Sequence, residues 1–296
     1  IRDFCLSRGL GDVYKRQTYM NTNPLAEFSR IPKLAIELPS HGVFSNDQTG
    51  MLAQPIKVKP MTGIDELYLK NPDALISGDA VVKVIKSCTG LEGISELPNV
   101  DIQALLLAIR YASYGKTMEL ELTCPECNGE FDVIADIEAM LDTIGTLEES
   151  YHTVLESGLK VHIRPHSYTS VQGVAMAAFT ESKAMQLIGG LDNAAALARF
   201  DKSYNTMAEL TVNTVINAIL FIELPDGTKV SDRKNISEFI YDASKSEMKL
   251  VTDIIEKANG ITYDGNLKLE CTHCEHKFEQ LLEINASNFF GKDSSN

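Results

Sequence analysis

The sequence predicts an α+β protein of two related helical halves, each ending in a short β-hairpin with a Cys-x-x-Cys knuckle. The main observation is that Leu120–Cys127 aligns without a gap with Leu267–Cys274. In both segments, apolar residues alternate with polar ones on entering and leaving the knuckle, which is the period of a β-strand. Much of the chain before each knuckle instead has apolar residues at helical spacing.

The order of elements before the knuckles also repeats, which predicts an internal duplication. Ile56–Pro60 and Val161–Pro165 each form an alternating strand that ends at a proline and precedes a helix-capping threonine. Gly115 and Gly260 each follow the last helical residues before a knuckle, where glycine commonly ends a helix. Only the knuckles match residue by residue, and the second half contains extra helix.

The chain divides into five stretches at the level of sequence. Residues 1–19 have no clear period and resemble a translated sequencing adapter, so we expect a non-native segment followed by a start at Met20. The remaining stretches are a lead-in at 20–31, a first half at 32–145, a second half at 146–290 and a polar tail at 291–296.

Several helices have recognisable starts. Thr62 and Asp65 predict a capping box, and Asp101 is a suitable N-cap for a longer helix. In the second half we expect a short helix at 192–200 and a long apolar helix at 204–222. The apolar faces of the first two helices are formed by Ile64, Leu67 and Tyr68 and by Ile102, Leu105, Leu106 and Ile109.

The overall composition limits the function classes. The 296 residues have 44% apolar and 23% charged side chains, as in ordinary globular proteins. The net charge of −14 argues against a general nucleic-acid surface, because phosphate binding needs a basic footprint. No apolar run approaches the roughly 18 residues of a membrane span. Since no signal peptide is recognisable, we expect a reducing cytosol, where paired Cys-x-x-Cys motifs favour metal or redox chemistry.

Four of the six cysteines, Cys124, Cys127, Cys271 and Cys274, predict one structural zinc site. Zn²⁺ prefers four nitrogen or sulfur ligands in a tetrahedron, and each Cys-x-x-Cys turn supplies two thiolates. The two pairs lie 147 residues apart, so the fold must bring the ends of both halves together. A bound zinc would then join the halves, on the scale of ~10–16 kcal/mol for a structural site.

Other interpretations of the cysteines stay open at this point. The four thiols could be free and bind nothing. A thioredoxin-type redox pair is disfavoured, because that motif occupies a strand-to-helix turn and these turns join two strands. His273 or His276 could replace a cysteine, although both fit solvated neighbours of the knuckle better.

No catalytic constellation stands out, and we expect a protein that is not an enzyme. Four thiolates leave no open coordination position for a substrate, as a catalytic zinc requires. The histidines match no H-E-x-x-H pattern, and the glycines match neither a P-loop nor G-x-G-x-x-G. A metalloenzyme therefore lacks a candidate base, and we expect no small-molecule substrate.

Several segments occur in a characteristic order along the chain: Leu34–Gly42, Ile56–Glu66, Ile85–Thr89, Leu97–Ile102, the Arg-x-x-Ser-x-Gly pattern of Leu107–Gly115, the Cys-x-x-Cys motif and the closing Phe289–Phe290. In this order they resemble the baseplate proteins of T4-like phages, in particular the hub-assembly subunit. The resemblance covers roughly residues 32–290, with a longer loop at 43–54 than is usual in that family.

This resemblance implies a non-enzymatic role in building the hub of a contractile tail baseplate. The implied partners are other baseplate or hub proteins, and the implied location is the host cytoplasm during assembly, or the tail baseplate of the virion. The alternative is a zinc-ribbon accessory protein that binds nucleic acid. Residues 119–138 argue against this alternative, because they contain seven acidic side chains and no lysine or arginine.

Overall fold

Short antiparallel hairpins alternate with helices in the computed structural model, which describes residues 30–45, 50–186, 193–282, 284 and 289–290. The chain from Pro32 onward forms one compact unit. Residues 1–19, the polar tail at 291–296 and most of the lead-in at 20–31 lie outside the described residues. The mixture of helices with small antiparallel sheets confirms the predicted α+β class.

The chain before the first knuckle folds as a strand pair followed by helices. Thr62 and Asp65 form the predicted capping box: Thr62 Oγ1 accepts from the Asp65 N–H at 3.2 Å, and the Asp65 carboxylate accepts from the Thr62 N–H at 2.7 Å. In order, the elements are β1 (Leu34–Ile36), β2 (Ile56–Val58), α1 (Gly63–Leu69), α2 (Pro72–Ile76), α3 (Asp79–Thr89), a 3-10 turn (Ile94–Glu96) and α4 (Asn99–Tyr114).

The face on which α1 packs differs from the predicted one. Ile64, Leu67 and Tyr68 are exposed, whereas Asp65 and Leu69 are the buried residues of this short helix. The capping box turns the Asp65 side of the helix inward, so the apolar positions of the predicted face stay at the surface.

Asp101 is not the N-cap of α4, which begins at Asn99 with Pro98 in the cap position. The helix starts two residues before Asp101, where the chain pairs with the segment that precedes α6. Pro98 forms an isolated antiparallel β-bridge with Ser167, and the Asn99 N–H donates to the His166 carbonyl at 2.9 Å. Asp101 is buried in the first turn and accepts hydrogen bonds from the N–H and hydroxyl of Ser40 at 2.9 and 2.5 Å. Burial dominates over these bonds and raises the pKa of Asp101 to about 6.

The first knuckle lies between β3 (Thr117–Thr123) and β4 (Glu130–Asp136), and the second between β9 (Asn266–Glu270) and β10 (Lys277–Leu281). β5, β6, β7 and β8 form one antiparallel sheet in that order. The elements between the knuckle hairpins are α5 (Ile137–Asp142), β5 (Tyr151–Val154), β6 (Lys160–Ile163), α6 (Tyr168–Gln186), α7 (Asn193–Ala218), β7 (Ile219–Glu223), β8 (Lys229–Val230), α8 (Arg233–Asp242) and α9 (Lys245–Asn259).

The two helices expected at 192–200 and 204–222 are one helix, α7, and its expected last turn is the strand β7. Ile219 pairs with Ile163 and is fully buried, so pairing with β6 decides the conformation of an apolar run that suits either element. No helix within the described ranges, α7 included, is long and apolar enough to cross a membrane.

The described residues form two large apolar cores. The first surrounds α3 and α4, and it confirms the predicted core face of Ile102, Leu105, Leu106 and Ile109. The second lies between the four-stranded sheet and the helices α8 and α9, with Val161, Ile219, Ile236 and Val251 at its centre. The cysteine ends of the two knuckle hairpins form a small cluster of their own, whereas Met118 and Ala135 at the base of the first hairpin belong to the first core.

Candidate metal centre

The two knuckle hairpins have the same strand register. Thr123 lies opposite Glu130 in the first hairpin, and Glu270 lies opposite Lys277 in the second. Each of these residues of the second hairpin follows its counterpart in the first by 147 positions, the separation of the two cysteine pairs. The predicted alternating strands are therefore confirmed, and both hairpins present their cysteines from equivalent loops.

The turns after the first cysteine of each pair are also alike. The N–H groups of Asn128 and Glu275 donate to the carbonyls of Cys124 and Cys271, both at 2.9 Å. Asn128 has φ 55° and Glu275 has φ 58°, so both turns place a residue in the left-handed region. Asn adopts this left-handed conformation readily, whereas Glu does so rarely. Equivalent turns thus form from residues of different propensity.

The fold brings the four predicted cysteines together. Their sulfurs all lie within 4.8 Å of one another, and the pairs Cys124–Cys274 and Cys127–Cys271 are each separated by 3.7 Å between Sγ atoms. Zn–S bonds of about 2.3 Å in a tetrahedron would place sulfurs about 3.8 Å apart, so the cluster can hold a metal ion of this kind. The same separations are far longer than the roughly 2.05 Å of a disulfide bond.

Main-chain N–H groups point at the sulfurs, as a thiolate site requires. Gly129 and His273 donate to Cys127 and Cys271 respectively, both at 3.4 Å. Burial raises the pKa of Cys271, but the N–H groups of His273 and Cys274 and the adjacent thiols outweigh it and lower the pKa to about 7. These contacts favour the ionised sulfur that binds metals.

Cys274 has the opposite pKa shift. The His276 N–H lowers its pKa, but burial and the three neighbouring thiols outweigh this donor and raise the pKa to about 12. Four close sulfurs give up their first protons readily and their last with difficulty, because each new thiolate repels the next. A divalent cation removes this repulsion, so binding would release the remaining protons.

A small apolar layer supports the centre from one side. Cys124 and Cys271 are buried, while Cys127 and Cys274 are exposed, so the cluster lies at the surface with one edge towards solvent. Phe131 and Phe278 meet edge to face, with ring centroids 6.1 Å apart, beneath the buried pair. This packing positions one cysteine from each knuckle next to the other.

His273 makes a direct contact between the knuckles that the sequence did not predict. Its Nε2 lies 2.9 Å from the Glu130 carbonyl oxygen, so this nitrogen carries the hydrogen and donates. Its ring covers Gly129, where an added Cβ would lie 2.7 Å from His273 Cδ2. His273 is therefore not a fourth ligand but a bridge to the opposite loop. The sequence alone could not have identified this contact, because His273 and Gly129 face each other only once the two loops are paired.

The Arg-x-x-Ser-x-Gly pattern at the end of α4 has a structural role at each position. Arg110 is buried and donates to the Phe289 carbonyl at 3.0 Å, which anchors the closing Phe289–Phe290 in the first core. The Ser113 hydroxyl accepts from the Met61 N–H at 2.9 Å. Gly115 caps the helix with φ 96°, a value that favours glycine.

A comparison with protein families matches residues 32–291 to the family described as T4 bacteriophage base plate protein. Comparisons with curated proteins and with solved structures give no match. The match spans most of the chain, both knuckle hairpins and the Arg110 pattern, and it agrees with the resemblance drawn from the sequence. The chain therefore belongs to the family of T4 bacteriophage base plate proteins.

Proposed function

We propose that this chain is a structural or assembly protein of the central hub of a contractile phage tail baseplate. The observation that carries the proposal is the family match over residues 32–291. The four-sulfur cluster supports a structural role, because four thiolates fill a tetrahedron and leave no position for a substrate. The protein acts through contacts with other baseplate proteins, in the host cytoplasm during assembly and then in the tail.

The metal that fits the cluster best is zinc, held by Cys124, Cys127, Cys271 and Cys274. A tetrahedral set of four sulfurs suits zinc or iron, and the two sulfur separations of 3.7 Å agree with a single ion. Zinc has no redox chemistry, which suits a site whose work is to hold two loops together.

Equivalent hydrogen bonds and equivalent helix packing in the two halves support an internal duplication. Met61 and His166 each follow the proline that ends a strand, and their N–H groups donate to Ser113 Oγ and Asn259 Oδ1, at 2.9 and 2.8 Å. Both acceptors lie at the end of the last helix before a knuckle. α4 contacts β1 and β2, while α9 contacts β5 and β6, so each such helix packs on the preceding strand pair. In this proposal zinc joins the ends of the two copies.

The alternative, a zinc-ribbon protein that binds nucleic acid, is disfavoured by charge. The strands and loop of the first hairpin contain six acidic side chains and no lysine or arginine. Phosphate groups would meet a surface of like charge there. We therefore propose that the chain binds other proteins and does not bind nucleic acid.

The decisive experiment joins metal analysis to assembly. The chain is co-expressed with the other hub proteins of the same phage, and the purified complex is analysed for zinc and iron. We expect about one zinc per chain, since four thiolates bind one ion, and co-purification with at least one hub protein. The matched control is Cys88→Ala, which removes a cysteine of the first core and leaves the knuckles intact.

Two results would count against the proposal. A zinc-loaded, folded chain that stays alone beside every hub protein contradicts the assembly role. Retention of the chain on DNA at low salt, with no hub protein bound, favours the nucleic-acid alternative. If the chain bound its partners while all four knuckle thiols were free, the assembly role would stand and the zinc site would be wrong.

A further inference from the structure

A cavity of about 480 Å³ runs along one edge of β1, and we call it the β1 groove. Every residue from Lys33 to Pro39 lines it, whereas a cavity on one face of a strand would contact alternate residues. β2 lies on the other edge of β1 and contributes no residue to the lining. The groove therefore follows the edge of β1 that β2 leaves open.

The far wall of the β1 groove is formed by the end of α5 and the segment that follows it. Leu141 and Ile144 supply apolar surface to this wall, and Asp142 supplies a carboxylate. The Leu147 N–H donates to the Pro39 carbonyl at 2.9 Å, which closes the groove just beyond the end of β1. The volume lies within the roughly 300–1,000 Å³ that is typical of binding cavities.

The open edge of β1 has main-chain groups that no other strand uses. β1 and β2 form a sheet of two strands, and within the described ranges the main chain of Leu34–Ile36 bonds to β2 alone. Successive N–H and C=O groups of a strand point to alternate edges, so some of them face the groove. An extended segment satisfies such a row of donors and acceptors, whereas a helix satisfies only its own backbone. The occupant that fits the groove is therefore extended.

Two carboxylates in the β1 groove favour a basic occupant. Glu37 and Asp142 are exposed, and neither forms an ion pair in the part of the chain that the structure describes. The third carboxylate of the lining, Glu138, is held by Lys116 at 2.6 Å. Glu37 lies towards the closed end of the groove, while Lys33 lies at the other end. Lysine or arginine in an extended segment would complement the two unpaired carboxylates, whereas phosphate groups would be repelled.

We propose that the β1 groove binds an extended, basic segment of a partner protein, which adds to β1 as a third strand. Main-chain hydrogen bonds to β1 would supply affinity, and side chains that alternate between apolar and basic would supply specificity. The apolar ones would contact Leu141 and Ile144, and the basic ones Glu37 and Asp142. Such a contact would serve the assembly role proposed above, on which it rests.

The test measures binding of synthetic peptides to the full chain. The probe is a blocked seven-residue peptide of alternating lysine and valine, and we expect its binding to slow amide hydrogen exchange in β1. N-methylation of one set of alternate residues should weaken binding at least roughly tenfold, because main-chain hydrogen bonds to β1 are lost while the charges stay. N-methylation of the other set should leave binding unchanged, since those residues face away from β1.

A charge exchange tests the chemistry of the occupant. Glu37→Lys combined with Asp142→Lys should weaken binding of the lysine peptide by roughly tenfold, and should let the matched glutamate peptide bind. Both substitutions are at exposed positions, so helix content should not change. The matched control is Glu156→Lys, which changes an exposed carboxylate between β5 and β6 and should leave binding of the lysine peptide as it is.

Several results would overturn the proposal. They are no binding of the lysine peptide, equal binding of both N-methylated peptides, binding without slower exchange in β1, and equal binding of the glutamate peptide by the wild type. Stronger binding of single-stranded DNA than of the lysine peptide would also overturn it. If the peptides fail while a hub protein co-purifies with the chain, the assembly role stands and the β1 groove is not its contact. If the peptides bind as expected while no hub protein co-purifies, the β1 groove stands and the assembly role fails.

Discussion

The knuckle pair is organised around three buried side chains, Cys124, Phe131 and Cys271, whereas α4 alone buries eleven of its residues. The knuckle hairpins are also separate two-stranded sheets, with no strand pairing between them. Isolated hairpins of this size are marginally stable in water. Burial therefore holds the helical cores, while the knuckle pair relies on a few specific contacts and on the metal that we propose for it.

Removing one ligand should have the largest effect, and it should be confined to the knuckles. Cys124→Ser removes one of the four sulfur ligands. We therefore expect the affinity of the chain for the metal to fall by more than the roughly 10–100-fold that follows the loss of a residue that only supports a ligand. Hydrogen exchange should show loss of protection at the cysteine ends of β3, β4, β9 and β10, with α4 still protected, because α4 lies in the first core.

Cys88→Ala is the control for this prediction, since Cys88 is fully buried in the first core. It should keep the full metal content. The expectation that the metal stabilises the knuckles and not the cores would be contradicted if Cys124→Ser unfolded the whole chain. It would also be contradicted if the Cys124→Ser variant bound metal as the wild type does.

Leu105→Ala should destabilise the chain without affecting the metal. Leu105 is fully buried in α4, and deleting such a side chain leaves a cavity that costs about 2–5 kcal/mol. The free energy of unfolding from denaturant titration measures the loss, and metal analysis should still give one ion per chain. A parallel fall in metal content would mean that core and knuckles are not separable.

Asp101→Asn should change how stability depends on pH. The pKa of Asp101 is raised from 3.8 to about 6, so the fold favours the protonated carboxyl, and its advantage is lost as the pH rises through about 6. Relative to Asp101→Asn, which stays neutral, the wild type should lose up to about 3 kcal/mol between pH 4 and 7. Thermal unfolding across this range is the measurement, and parallel profiles would contradict the expectation.

Gly129→Ala should have a smaller effect on the knuckles alone. The new Cβ would lie 2.7 Å from His273 Cδ2, and relieving such overpacking costs about 1–3 kcal/mol. Competition with a zinc chelator measures the weakened site. His273→Ala in the same chain should recover part of the loss, because it removes the clash, and an equal loss in the double variant would exclude this contact as the cause.

The cysteine spacing and the alternating strands were enough to predict the four-cysteine cluster and both knuckle hairpins. The capping box at Thr62 and the core face around Leu105 were also predictable, because each depends on residues a few positions apart. The role of Asp101 was not predictable, since Ser40 lies 61 residues away and nothing in the local pattern points to it. The conformation of Ile219 depended in the same way on its partner strand.

The sequence by itself determined which four cysteines would meet, the period of the strands that carry them and the start of several helices. Those features follow from local spacing and from a repeat within the chain. Only the tertiary structure decided that His273 bridges to the Glu130 carbonyl and that Leu197, Phe200 and Tyr204 of α7 stay exposed. It also decided that Arg110 anchors Phe289. The physical reason is that each of these depends on which distant surfaces meet, and a hydrogen bond or an exposed face is fixed only when its partner is in place.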